Sequence, residues 1–449
     1  MSQTTNQSAV VSAVNEMLPP GRLFALGAQH LLAMYASIAA TPLVLAVALK
    51  LPQDQVIYLL SVTAFTCGLA MLLQSVGVWK IGSRLPIVQG TTFTSVAPMI
   101  LIGGQWGWPA IFGSVIASGL FTFLLAPYFS RLLRFFPPVV TGTTLTAIGV
   151  TLMPVAVLWM NGGDMTTAHI SGSNLALAGV TLVIVLAIYH FCKGFLGRIA
   201  VLAGLVLGTL IAWIFGLVNF DQVASAKMFE LVTPFHFGMP TFEIAAVLSM
   251  CLVMLITMVE TTSDVLAIGD IAGEKIDSKL LASALRADGA ATFLGGILNS
   301  FPYTAYAQNV GLIRLTGVKS RWAIAMAGVL LVIMGLLPKI SAVVASIPLP
   351  VLGGAALVLF GGVAATGIKI LGSVDLDNNR NLLIVAVSLG MGMIPVSKPG
   401  LFGAFPPSVQ IIFDNGIILA CLSAILLNML FNVLCAEREP TEQEDAPQH

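Results

Sequence analysis

Apolar runs of about 20 residues recur along the chain from end to end, each closed by a short polar break. A helix of about 20 residues covers a hydrocarbon core roughly 30 Å thick, so these runs predict membrane-spanning helices. The windows fall near 22–49, 54–79, 93–103, 107–129, 138–159, 174–191, 198–218, 242–263, 279–298, 309–317, 321–337, 350–370, 381–395 and 411–435. Of these fourteen, the third and the tenth are too short to cross alone. An extended, Pro-containing polar stretch leads into each, RLPIVQGTTFTSVAP before the first and SFPYTAYAQNVG before the second. The fold class expected is an all-α integral membrane protein of 14 segments, with short strands before half-helices 3 and 10.

The basic residues test that count. With the N-terminus on the cytoplasmic side, the connections on that side hold Lys80, Arg84, Arg131, Arg134, Lys193, Arg198, Lys275, Lys279, Lys319, Arg321, Lys369 and Arg380. The opposite side keeps only Lys50, Lys227, Lys339 and Lys398. This is the bias of the positive-inside rule, and a miscount by one segment would scramble it. Both termini are therefore expected in the cytoplasm.

The windows also repeat. From Pro138 the chain reads PVVTGTTLTAIG and from Pro350 it reads PVLGGAALVLFG, each opening the fifth segment of its half. Seven segments per half is an odd number, so the halves lie in opposite orientations. Paired short, Gly/Pro-interrupted segments in an inverted repeat point to a transporter site at the midplane. A half-helix exposes free N–H groups and a positive dipole end, and lipid cannot satisfy the extended backbone before it. Two such breaks meeting would form a small polar cage.

Composition excludes other classes. The chain is 57% apolar and 9% charged, with a mean hydropathy of +0.96, whereas a soluble globule is about a quarter charged. A formal net charge of zero argues against a nucleic-acid partner. Residues 1–21 are polar without a basic start, which reads as a cytoplasmic segment rather than a cleaved signal peptide. The tail at 436–449 is acidic and reads as disordered. Cys67, Cys192, Cys251, Cys421 and Cys435 are scattered singly, as small packing residues rather than metal ligands.

Candidate chemistry lies in the few polar residues at membrane depth. Gln308 and Asn309 form an amide pair inside AQNVGLIRLTG, costly there unless each meets a partner or a polar ligand. Glu260 and Asp264, in ETTSD, lie four residues apart on one helix face. Asp288 sits inside the ninth window, where pairing with Arg286 is the alternative to a functional role. His30 interrupts the first. Phe93 follows Gln89-Gly90-Thr91-Thr92, and strand alternation would point Tyr306 and Gln308 to one face. A flat heterocycle could then stack on the rings while Gln308 and Glu260 address its edge. Gly204 and Gly208 read as a close-packing pair.

These residues resemble the nucleobase–ascorbate transporters (nucleobase–cation symporter family 2). QNVGLIRLTG fits that family's signature, and GAQHLLAMY, LPIVQGTTF, ETTSD and LRADG are similar to its first, third, eighth and ninth segments. The resemblance implies a seven-plus-seven inverted repeat in which a core domain (22–130 and 241–346) moves against a gate domain (131–240 and 347–435), within a homodimer in the lipid bilayer. It implies Glu260 as the main substrate carboxylate with Gln308 opposite it on a purine. Asn309 would shape the site, Phe93 and Tyr306 would supply ring and backbone contacts, and His30 would tune affinity. Asp288 would be essential to the cycle. Gln308 rather than Glu resembles the xanthine and urate branch, and Thr92 the urate carriers. Ser263 departs from the usual glycine, and Arg314 has no assigned role. No cofactor is expected beyond a coupling proton, carried by Glu260, Asp264 or Asp288. The expectation is a proton-coupled importer of urate and/or xanthine in a bacterial inner membrane, and not an enzyme. Its rivals are a uracil carrier, an anion transporter or channel of the same architecture, and a purine sensor.

Overall fold

The computed structural model describes residues 12–163, 169 and 171–434; the acidic tail and Cys435 lie outside them. Helix occupies every apolar window. Among the described residues, nine helices are long and apolar enough to cross a membrane, or ten if the bent pair Arg321–Gly335 and Pro338–Ala345 counts as one span. The chain is thus a multi-pass membrane protein.

Helices begin and end where local chemistry dictates. Pro20, Pro109, Pro138 and Pro350 sit in the first turns of theirs, where a missing N–H costs nothing. Gly273 and Gly317 close Ile244–Ala272 and Ala307–Thr316 at φ of 79° and 67°, a conformation that favours glycine. The Ser278–Ile297 helix is long enough to span but carries Lys279, Arg286 and Asp288, so apolarity alone does not mark it as a span.

Three windows are less regular than their hydropathy suggests. The fifth pauses at Leu152, between Pro138–Thr151 and Met153–Met160. The eleventh turns by 83° at Leu336-Leu337 and continues to Ala345. The fourteenth breaks at Asp414-Asn415, where Asn415 Oδ1 accepts from the amides of Ile417 and Ile418 and starts Gly416–Asn428.

Two strands lie deep in the molecule. β1 (Gln89–Thr91) pairs antiparallel with β2 (Tyr303–Ala305), setting Gln89 opposite Ala305, Gly90 opposite Thr304 and Thr91 opposite Tyr303. The pairing runs on through Thr92 N–H to the Pro302 carbonyl and Tyr306 N–H to the Val88 carbonyl, both at 3.0 Å. Neither strand has a neighbour within its own half of the chain, so each supplies the backbone partners that lipid could not. From each strand the chain turns into a short helix: Phe93–Ser95 continuing as Val96–Trp106, and Ala307–Thr316.

Helix packing follows the small residues. Trp108–Leu125 crosses Ser278–Ile297 where a Cβ on Gly119 would stand 2.4 Å from the Phe293 nitrogen, and one on Gly289 2.5 Å from the Phe123 nitrogen. Gln53–Ser75 crosses Arg321–Gly335 in the same way, through Gly68, Gly328 and Gly335. Gly149 and Gly367 let Pro138–Thr151 press against Leu349–Leu371. Gly204 and Gly208 do so for Ala200–Ile214 against Gly172–Phe191. Without a hydrophobic drive between helices in lipid, such close approach is what holds them together.

The crossings fall into two groups. Pro20–Ala48, Gln53–Ser75, Trp108–Leu125, Ile244–Ala272, Ser278–Ile297 and Arg321–Gly335 pack among themselves around the strand pair. Pro138–Thr151, Gly172–Phe191, Ala200–Ile214, Leu349–Leu371, Asn379–Ser397 and Gly416–Asn428 form the other group.

Candidate functional site

A cavity lies where the two groups meet, beside the strand pair. Its polar wall comes from the starts of the two short helices and from one face of Ile244–Ala272. Its other wall is largely apolar, with Leu145 and Ile148 on Pro138–Thr151 and Val363, Thr366 and Ile370 on Leu349–Leu371.

Glu260 is half-buried at the centre of the polar wall. Thr94 donates to its Oε1 at 3.2 Å, and Thr304 to its Oε2 at 3.4 Å. One hydroxyl comes from each half of the chain, brought together by the β1–β2 pairing. Each carboxylate oxygen keeps further accepting capacity for a ligand. Asp264, one turn along, lines the same cavity although the side chain is almost wholly buried. It is therefore part of the cavity wall. Ser263 lies between them, exposed to the cavity, its hydroxyl donating to the Val259 carbonyl at 3.1 Å.

Gln308 is exposed and lines the same cavity, in the first turn of Ala307–Thr316. The expected strand alternation of Tyr306 and Gln308 does not occur. The strand ends at Ala305, Tyr306 caps the helix and Gln308 is helical. Both still reach the cavity, because the chain bends there rather than alternating. No side chain caps this helix, and the Asn309 amide closes onto the Tyr306 carbonyl at 2.9 Å. The Tyr306 hydroxyl donates to the Thr91 carbonyl at 2.9 Å, and its ring lies over Gly90, where a Cβ would come within 2.3 Å of Cζ. Phe93 lines the cavity and packs edge-on to Phe360 across the group boundary, with centroids 5.6 Å apart. Thr92 lines it too, and its hydroxyl accepts from the Thr94 amide.

Three expected site residues stand behind the wall. Asn309 is buried and donates to the Pro86 carbonyl at 2.8 Å, tying the second short helix to the stretch before β1. His30 is buried, and its Nδ1 and the Asn309 Oδ1 have no hydrogen-bond partner among the described residues. Asp288 is fully buried. It accepts from Gln89 Nε2 on β1 at 2.7 Å rather than pairing with Arg286. Its Oδ2 and the Gln89 Oε1 have no hydrogen-bond partner among the described residues. Arg314 is exposed in the last turn of Ala307–Thr316, where a cation complements the helix dipole.

Sequence reading missed Thr94, Thr304, Gln89 and the apolar wall. Carboxylates, an amide and aromatic faces around one cavity suit a flat solute with hydrogen-bonding edges.

Comparison with known proteins agrees. A family model described as "Permease family" matches residues 21–401. The nucleobase transporter PlUacP of Paenibacillus larvae is 46% identical over 416 residues, covering 92% of this chain and 95% of that one. A xanthine permease of Bacillus subtilis is 42% identical, covering 95% and 97%. The uric acid transporter UacT of Escherichia coli is also 42% identical, covering 96% and 90%. Among solved structures, the transmembrane domain of the cyanobacterial bicarbonate transporter BicA superposes with a TM-score of 0.61 at 14% identity, covering 92% and 99%. At that identity the likeness concerns the fold alone.

Proposed function

The chain belongs to this permease family, that of the nucleobase–cation symporters, and from that premise we propose that it imports the oxopurines urate and/or xanthine. It is a transporter, not an enzyme. The observation that carries the substrate class is the pairing across one cavity of Glu260, held by Thr94 and Thr304, with the exposed amide of Gln308. A purine presents N–H donors on one edge and carbonyl acceptors on another. The carboxylate takes the donors, the amide takes either, and Phe93 and Tyr306 cover the faces. The names of the relatives support this class, and two of them at equal identity divide between xanthine and urate.

The transport cycle follows from the two packing groups. We read the first as a core and the second as a gate, with the core sliding elevator-like against the gate and carrying the base. The apolar wall of Leu145, Ile148, Val363 and Ile370 supports this, because a smooth surface imposes no fixed register. A seven-plus-seven inverted repeat is supported by the packing pattern. The crossing of Trp108–Leu125 with Ser278–Ile297 becomes, seven segments on, that of Arg321–Gly335 with Gln53–Ser75. The pairing of Gly172–Phe191 with Ala200–Ile214 becomes that of Asn379–Ser397 with Gly416–Asn428. Fourteen segments, cytoplasmic termini, an inner-membrane location and a homodimer complete the reading. The coupling ion is a proton exchanged at Glu260, Asp264 or Asp288, three carboxylates with no basic partner in hydrogen-bonded contact among the described residues.

The rival reading among proteins of this architecture is an anion transporter, to which the fold likeness by itself lends no function. It sits poorly with a cavity lined by two carboxylates and no lysine or arginine. Uptake of labelled urate and xanthine into bacteria lacking their own carriers tests the proposal. Accumulation of at least one, abolished by a protonophore, is expected; uptake of neither, or uptake indifferent to the protonophore, contradicts it.

A further inference from the structure

A second cleft of about 1130 Å3 adjoins the central cavity, sharing Gln308 and Thr366 with it. It runs between the first helix, the Ala307–Thr316 helix and the stretch linking Gly172–Phe191 to Ala200–Ile214. Its wall differs from that of the central cavity in charge. The central cavity carries Glu260 and Asp264, whereas the one charged side chain lining the cleft is Arg198. Arg198 is half-buried, and among the described residues no carboxylate pairs with it. Its Nη1 donates to the Leu312 carbonyl at 3.3 Å, a long bond. A guanidinium carries five donors, so most of its capacity is uncommitted. A cation partly withdrawn from water without a counter-ion is expensive, and such groups in membrane proteins mark solute pathways.

We propose that this cleft is a vestibule for anionic oxopurines, in which Arg198 binds the carbonyl-bearing anionic edge of the base on its way between the aqueous phase and the Glu260–Gln308 cavity. The proposal rests on the oxopurine reading above. A planar guanidinium matches two acceptors side by side on a ring edge, as it does a carboxylate. Tyr189 and Ser37, on the same wall, add hydroxyls. Gln308 faces both spaces, so the base can pass from Arg198 to Glu260 without leaving polar contact. The bond to Leu312 is one that an arriving anion competes for. Its loss frees the helix that bears Gln308 from the gate side.

The test compares KM for urate, or for xanthine at a pH where it is ionised, in proteoliposomes of the full chain. Arg198→Gln should raise KM about tenfold with little change in maximal rate, while Arg198→Lys, which keeps the charge but not the fork, should stay within about threefold of wild type. Should Arg198→Gln fail to reach the membrane, a second site carries the same test. A Cβ on Gly362, which lines the cleft, meets nothing within 4 Å. Gly362→Glu should raise KM for the anion and Gly362→Gln should not. KM unchanged in Arg198→Gln, equal in the Gln and Lys variants, or insensitive to charge at 362 overturns the vestibule while leaving the carrier reading intact. A wild type that carries neither purine overturns both.

Discussion

In the proposed function Glu260 is the residue on which recognition turns, and its surroundings set the size of the effect expected on losing it. Replacing the carboxylate by an amide converts a charge-assisted contact into a neutral one, a loss of about 2 kcal/mol or roughly 30-fold in affinity. Glu260→Gln should show that weakening in equilibrium purine binding to purified protein while membrane abundance stays normal. Thr94→Val takes away one hydroxyl that orients the carboxylate. About 1 kcal/mol, or roughly fivefold weaker binding, is expected, with Thr304→Val milder because its bond is longer. The acids and the amide were legible in the sequence because they are costly in an apolar chain. The threonines were not. A threonine satisfies its hydroxyl on its own helix, as Thr262 does on the Met258 carbonyl, so it carries little penalty and does not stand out. Asn309, His30 and Asp288 were equally legible as polar residues, but spacing could not tell a cavity wall from the layer behind it.

At the scale of elements, the two strands decide where those side chains stand. The breaks before the short helices were readable from their prolines and polar runs. The register that sets Gly90 opposite Thr304 was not, since it joins positions some two hundred residues apart and rests on backbone bonds that carry no side-chain signal. Gly90 exposes the consequence. A methyl group there would run into the Tyr306 ring and break its bond to Thr91. Overpacking of this kind costs about 1–3 kcal/mol. Gly90→Ala should therefore weaken purine binding by roughly tenfold, more than Tyr306→Phe, which loses only the hydroxyl bond at about 1 kcal/mol. Binding titrations on the two variants check the order; Gly90→Ala binding like wild type would mean the strand pair does not position the site.

For the whole molecule, the apolar windows and the bias of basic residues set out a multi-pass helical chain, and the helices stand where the windows fell. Which helix crosses which was beyond the sequence. Those crossings depend on glycines such as Gly119 and Gly289 finding each other, and glycine is too common here, at 43 residues, for any pair to announce itself. The outcome is one cavity shared by two helix groups, and the account stands on that cavity taking a purine. The most direct test is counterflow of labelled xanthine into proteoliposomes loaded with unlabelled xanthine, with urate, uracil and bicarbonate as competitors, in wild type and Glu260→Gln. The account predicts transient accumulation that urate suppresses and uracil and bicarbonate do not, lost in the variant at equal reconstitution. Absence of counterflow, stronger suppression by uracil or bicarbonate than by urate, or full activity in Glu260→Gln would contradict it.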